Sequence, residues 1–307
     1  MEMWNIEVIK IDDNRYPNLL KNIKNQPEKL YVNGDYNCFN LPCITIVGSR
    51  NMSEYGRKIT KKIVEELTNA GICIVSGLAV GIDSVAHNTC LENNGKTIAV
   101  LGSGLNKVFP PENMELYNKI LKNNGCIISE YEPNEQAQKK HFPERNRIVS
   151  GLSLGTVIIE AAYRSGTSIT AKFALSQGRK VFCIPNSIGN KNSYGTINLI
   201  KKGAIMVTNG KEILYSLGII KKIEDYDCFI EKQNKIKMDC FVNEQLDCLD
   251  EKTKKIYEYF RENKLANSEI LCKVLDMNIQ DINMHLTILE IKGLIKNKYG
   301  NNYVIVE

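Results

Sequence analysis

Five short stretches of the chain bring together residues that can hold an anion. They are Gly48–Ser49–Arg50, the run Ser76–Gly77 through Asp83, Gly102–Ser103–Gly104, the run His141–Phe142–Pro143–Glu144–Arg145–Asn146–Arg147, and Arg164–Ser165–Gly166–Thr167. Gly and Ser at a turn leave backbone N–H groups uncovered, and such groups at helix N-termini bind phosphate. Tight strand-to-helix turns favour Gly and Ser anyway, so a single turn of this kind carries little. The set together, with Arg50, Arg145 and Arg147 in it, points to phosphate. Phe142 adds a ring on which an unpaired base can stack while the arginines hold the backbone. The competing reading folds Phe142 onto the sheet and pairs Arg145 or Arg147 with Glu144 or Glu130.

Other chemistries fare worse. Lys107 sits where the third glycine of a dinucleotide fingerprint belongs, and Ala171 replaces the second glycine of a phosphate loop over Gly166 to Lys172. Asp83 and His87 are four residues apart and Glu160 closes a strand, but no nucleophile stands beside a base. Asp83 is read as complementing a helix N-terminus, His87 as packed, and Glu160 as fixing a neighbouring loop. None of the ten cysteines forms a two-residue-spaced pair, and the three histidines lie away from cysteine pairs, so no metal site is predicted. No catalytic residue and no cofactor are expected. Scattered thiols in apolar runs, such as Cys73, Cys126 and Cys183, suit a reducing cytoplasm.

These turns need a frame to bring them together. Seven apolar runs of three to five residues begin near residues 44, 72, 97, 126, 156, 181 and 205, each apolar almost throughout, as strands buried on both faces are. Helix-period stretches alternate with them. The implied fold is α/β: a Rossmann-like, mostly parallel sheet with helices on both faces. In such a sheet ligands bind beyond the carboxyl ends of the strands, where the five stretches fall.

At 307 residues the chain is long enough for about two domains. Residues 1–42 read as an N-terminal capping segment, 43–218 as the Rossmann-like domain and 219–245 as a linker of mixed charge. Residues 246–307, with three helical patterns and a hairpin signal around Tyr299 to Asn302, read as a winged helix-turn-helix. Residues 41–215 carry 21 basic and 13 acidic side chains, whereas residues 244–307 carry 9 and 11. A polyanion partner therefore suits the central domain and not the tail. No apolar run approaches the ~18–20 residues of a spanning helix, so no membrane partner is expected.

The motifs Ile46-Val-Gly-Ser-Arg50, Ser76-Gly-Leu-Ala-Val-Gly-Ile-Asp83, Val100-Leu-Gly-Ser-Gly104, His141-Phe-Pro-Glu-Arg-Asn-Arg147 and Ser165-Gly-Thr-Ser-Ile-Thr-Ala171 resemble those of the DprA/Smf family of DNA-processing proteins. So does Tyr16-Pro-x-x-Leu20 upstream. The resemblance spans about residues 14–215 and implies an extended Rossmann-like fold and a non-enzymatic protein of the cytoplasm. Such a protein binds single-stranded DNA, protects incoming strands in natural transformation, loads the RecA recombinase and acts as a homodimer. Carried over by position, Gly48, Ser49 and Arg50 would hold phosphate at the first turn, with Gly102 and Gly104 at the third. Phe142, Arg145, Asn146 and Arg147 would line the strand's path, and Ser165, Gly166, Thr167 and Lys172 the adjoining turn. Asn198, Leu199, Ile200 and Met206 would form the dimer and RecA surface, with Leu199 and Ile200 expected to be exposed. Two departures stand out: few residues precede the sheet, and the tail is acidic. A phosphoribohydrolase-like enzyme working through Glu160, or a nucleotide sensor, is the alternative on the same frame.

Overall fold

The computed structural model of the chain describes residues 6–163, 165–299 and 301–306. They divide into two compact units after Ile230.

The larger unit is built on nine strands: β1 (Glu7–Lys10), β2 (Lys29–Gly34), β3 (Cys43–Val47), β4 (Cys73–Ser76), β5 (Thr97–Val100), β6 (Cys126–Ser129), β7 (Gly155–Ile158), β8 (Lys180–Cys183) and β9 (Ile205–Met206). Their order is β1-β2-β6-β5-β4-β3-β7-β8-β9. All neighbouring pairs from β6 across to β9 are parallel. Helices α1 (Asn18–Lys21), α2 (Glu54–Asn69), α3 (Ile82–Glu92), α4 (Met114–Lys122), α5 (His141–Gly151), α6 (Gly166–Ser176), α7 (Tyr194–Lys201) and α8 (Gly210–Ser216) cover it.

The central strands have no polar face because both of their faces are roofed. Ile44 and Ile46 of β3 pack with Ile63, Val64 and Leu67 of α2, while Cys43 and Val47 join Ile148 and Val149 of α5 on the other side. Burying each such Ile or Leu is worth about 1.5–3 kcal/mol. The expected strand cysteines, Cys73, Cys126 and Cys183, are buried. At the start of α2, Ser53 accepts the Gly56 N–H at 3.0 Å, as its capping position predicts.

Two expectations are corrected. The segment before residue 43 caps the core through Tyr16, Leu20 and Ile23, but it also extends the sheet, β2 pairing antiparallel with β6 and β1 with β2. Leu30 and Val32 face one core and Tyr31 another, so this short segment is buried from both sides without a core of its own. The stretch taken as a linker holds a 22-residue helix, α9 (Tyr226–Asp247). Phe229 and Ile230 pack on the core of the larger unit and Val242 and Leu246 on that of the smaller. The two ends serve different cores, so no single apolar stripe marks the helix.

The smaller unit follows with α10 (Glu251–Asn263), β10 (Leu265–Asn267), α11 (Ser268–Leu275), α12 (Ile279–Ile291), β11 (Ile295–Tyr299) and β12 (Asn302–Ile305). The three strands form an antiparallel sheet in the order β10-β12-β11. This is the element order of a winged helix-turn-helix. Ile256, Phe260, Leu271, Ile282, Leu286 and Leu289 form its core. Gly300, within the hairpin signal, lies outside the described residues. Among the described residues no helix is long and apolar enough to cross a membrane.

His87 on α3 is a packed histidine, fully buried, with Nδ1 2.7 Å from Thr97 Oγ1. Burial pushes its imidazole down to about 3, so it is neutral in the folded chain. Unfolded, it takes up a proton below about pH 6.5. Between those values the unfolded state binds more protons, so stability falls as pH falls, by about 1.4 kcal/mol per unit from this group. A His87→Gln variant should lose that part of the slope between pH 6 and 4 in urea-denaturation series.

Candidate nucleic-acid interface

The strand order reverses beside β3. The chain proceeds from β3 to β4, β5 and β6 on one side and returns to lay β7, β8 and β9 on the other. Loops leaving the carboxyl ends of the strands diverge at such a point and leave a crevice. Here it is a groove of about 730 Å³. Gly48, Ser49 and Arg50 line it from the β3 turn, Phe142 and Asn146 from α5, and Ser165, Gly166 and Thr167 from the start of α6. With Arg145, which borders it from beneath, nine of the expected residues, drawn from three distant segments, thus meet at one place.

The turns are held by their own hydrogen bonds. Thr167 Oγ1 donates to the Gly48 carbonyl at 3.1 Å, joining the β3 turn to α6. The Ser49 hydroxyl accepts the Asn51 N–H at 3.2 Å, and the Asn51 carbonyl accepts from Asn192 Nδ2 at 2.8 Å. Ser165 makes no side-chain cap on α6, and no acidic residue occupies its first turn. Among the described residues, nothing outside its own turn stands within 4 Å of where a Cβ on Gly166 would be. The N-terminus of α6 therefore faces the groove with its partial positive charge open. The N-terminus of α2 is closed by contrast. Ser53 caps it, and Glu160 accepts the Ser53 N–H at 2.9 Å and the Ser53 hydroxyl.

Glu160 is completely buried and also accepts from Asn186 Nδ2 at 3.2 Å. Both carboxylate oxygens are engaged in fixing the loop, as the sequence suggested. The carboxylate on which a hydrolase reading depends is occupied.

Arg50 is an exposed cation of the groove. Its guanidinium lies 5.5 Å above the Phe142 ring and makes no hydrogen bond or ion pair with the described residues. Phe109 meets Phe142 at 5.4 Å between ring centroids. Gly102 supports this pair, because a Cβ there would stand 3.0 Å from the Phe142 ring. The groove thus sets an exposed guanidinium, suited to phosphate, beside two aromatic rings packed on each other.

Four placements differ from expectation. Arg145 borders the groove from beneath, only 5% exposed, with Nη1 donating to the carbonyls of Gly77 at 2.7 Å and of Val100. Arg147 is spent: Nη2 pairs with both oxygens of Glu130 at 2.6 and 2.8 Å, and Nε donates to the Asn25 carbonyl at 2.8 Å. Gly104 packs against the 130–135 loop, where a Cβ would stand 2.0 Å from the Glu132 carbonyl. Lys172 is exposed on α6 and does not line the groove. Arg164 lies outside the described residues.

Arg147→Ala is therefore expected to leave strand affinity and its salt dependence unchanged. It should cost about 1–3 kcal/mol of stability by orphaning Glu130, measurable by parallel anisotropy and urea titrations.

The groove also uses residues the sequence reading passed over: Asn51, Phe109, Lys139 and Asn192. Lys139 had a signal, a Lys-Lys pair just before His141, and Phe109 is an aromatic in a Pro-flanked loop. The proposed dimer and RecA surface is mixed. Leu199, expected to be exposed, is 7% exposed and belongs to the core, because α7 turns it onto the sheet. Asn198 and Ile200 are half-buried, whereas Met206 is 56% exposed on the edge strand β9.

Residues 7–218 match the sequence profile of the family described as DNA recombination-mediator protein A. Protein Smf of a Synechocystis species is 36% identical over 320 residues, covering 97% of this chain and 80% of that protein. The X-ray structure of DNA processing protein A from Streptococcus pneumoniae matches with a TM-score of 0.66 at 42% identity, over 68% of this chain and 74% of that one. DNA processing protein A from Helicobacter pylori, whose structure concerns its single-stranded DNA binding mode, matches with a TM-score of 0.64 at 29% identity, over 70% and 96%. By sequence and fold, this chain belongs to the DNA recombination-mediator protein A family.

Proposed function

We propose that the chain binds single-stranded DNA along the groove at the carboxyl edge of the sheet. In this reading it protects the strand in the cytoplasm and loads a RecA recombinase onto it, without chemistry of its own. The observation that carries the reading is the free Arg50 guanidinium set over Phe142, beside the open N-terminus of α6. Phosphate suits the first and last of these, and only an unpaired base can stack on a ring. The Helicobacter pylori relative, described by its single-stranded DNA binding mode, supports the same reading.

For the recombinase and for a second copy of the chain, the supporting feature is the edge strand β9, with Ile205 and Met206 exposed. An unpaired strand edge with apolar side chains is a ready partner surface. Residues 244–307 carry no excess of positive charge, 9 basic against 11 acidic side chains, which favours a protein contact or a regulatory role over duplex binding.

The reading is tested by fluorescence anisotropy with labelled oligo-dT and a matching duplex. Preference for the single strand is expected, and equal binding of duplex would overturn it. RecA filament assembly on the bound strand tests the second step. A Met206→Arg variant should keep strand binding and lose RecA assembly or dimerisation.

A further inference from the structure

The Arg50 guanidinium makes no hydrogen bond or ion pair with the described residues and rests only over the Phe142 ring. Its aim is therefore set by the backbone of its own turn, between β3 and α2. That backbone is pinned at three points. The Ser49 carbonyl accepts the Ile82 N–H at 3.2 Å, and the Asn51 carbonyl accepts from Asn192 Nδ2 at 2.8 Å. Ser53 gives both its N–H and its hydroxyl to Glu160.

Two of the three points lead to Glu160. The Asn192 amide that holds Asn51 also donates to Glu160 Oε2 at 3.5 Å, and Asn186 Nδ2 donates to Oε1 at 3.2 Å. Both asparagines come from the loop between β8 and α7. Glu160 is completely buried, a costly place for a carboxylate unless donors satisfy it, and here they converge on it from two separate segments. Gly56 makes the room, because a Cβ there would stand 2.5 Å from the Glu160 carboxyl carbon.

We propose that Glu160 is a positioning residue for strand binding: by clamping the β3 turn to the β8–α7 loop, it fixes the direction in which Arg50 meets phosphate. The inference rests on the strand-binding reading above and adds to it a residue that never touches the strand. Without the carboxylate, Ser53 loses the acceptor of its N–H and the Asn192 amide loses one of the two groups that orient it. The turn loosens, and an Arg50 that must be ordered on binding contributes less affinity.

The test is a double-mutant cycle read by oligo-dT anisotropy, with Glu160→Gln, Arg50→Ala and the two together. Glutamine keeps the volume but sets an NH2 group against the donors around it. Glu160→Gln should weaken binding about 3- to 10-fold, within the range for coupled neighbours, and flatten the salt dependence toward that of Arg50→Ala. In the Arg50→Ala background it should cost nothing further. Asn192→Ala, which cuts the bridge to Asn51, should show the same dependence on Arg50, and it carries the test if Glu160→Gln does not fold. Losses that add in the double variants overturn the proposal, because Glu160 then supports the fold without acting through Arg50. Unchanged affinity in the single variants overturns it too and leaves strand binding intact. Failure of the wild type to bind any strand overturns the strand-binding reading itself.

Discussion

An Arg145→Met variant is expected to lose about 3–5 kcal/mol of stability, the cost of removing one member of a buried charge arrangement. Arg145 and Asp83 both hold the backbone of Gly77. The guanidinium donates to its carbonyl, and the Asp83 carboxylate accepts its N–H at 3.1 Å. Burial pushes the guanidinium down to about 10, which leaves it charged at neutral pH, and burial also raises the Asp83 carboxyl. Methionine fills similar volume but leaves the Gly77 and Val100 carbonyls without their donor and Asp83 without its cation. Urea denaturation should report the loss. A change under about 1 kcal/mol would show that the arrangement holds the groove floor less firmly than its burial indicates.

Phe142→Ala is expected to weaken oligo-dT binding by about 1–3 kcal/mol, or about 5- to 150-fold. In the proposed binding mode the ring stacks a base, and it seats the Arg50 guanidinium, a cation–π contact worth about 0.5–1 kcal/mol at an exposed site. Phe142→Tyr keeps the π-face and should retain most of the affinity. If alanine and tyrosine variants bind equally well, the ring serves packing against Phe109 and not the strand.

The parallel sheet is readable in the sequence because strands buried on both faces leave short, wholly apolar runs. The edge strand β1 does not. Glu7 to Lys10 carries charge at both ends, and its pairing with β2 depends on a partner some twenty residues away. The site is legible to a similar degree. Gly and Ser turns mark strand ends wherever they occur, so Gly48 to Arg50 and Ser165 to Thr167 were findable from spacing alone.

The two arginines of α5 show where spacing runs out. Residues two apart on a helix point to different faces. Which of them is free depends on Glu130, Gly77 and Asn25, which are distant in sequence. Neither arginine is free, and the pairing weighed at the outset, Arg147 with Glu130, is the one observed. Leu199 and Met206 divide for a similar reason. A short helix turns one inward, while the end of the sheet leaves the other exposed.

The most direct test of the central claim is the salt dependence of oligo-dT binding by the wild type, Arg50→Ala and Arg147→Ala. For single strands the log–log slope is about −0.7 per phosphate neutralised. Arg50→Ala should flatten the slope by about that amount and weaken binding, while Arg147→Ala leaves it unchanged. A slope insensitive to Arg50, or one flattened equally by Arg147, would place the strand somewhere other than this groove.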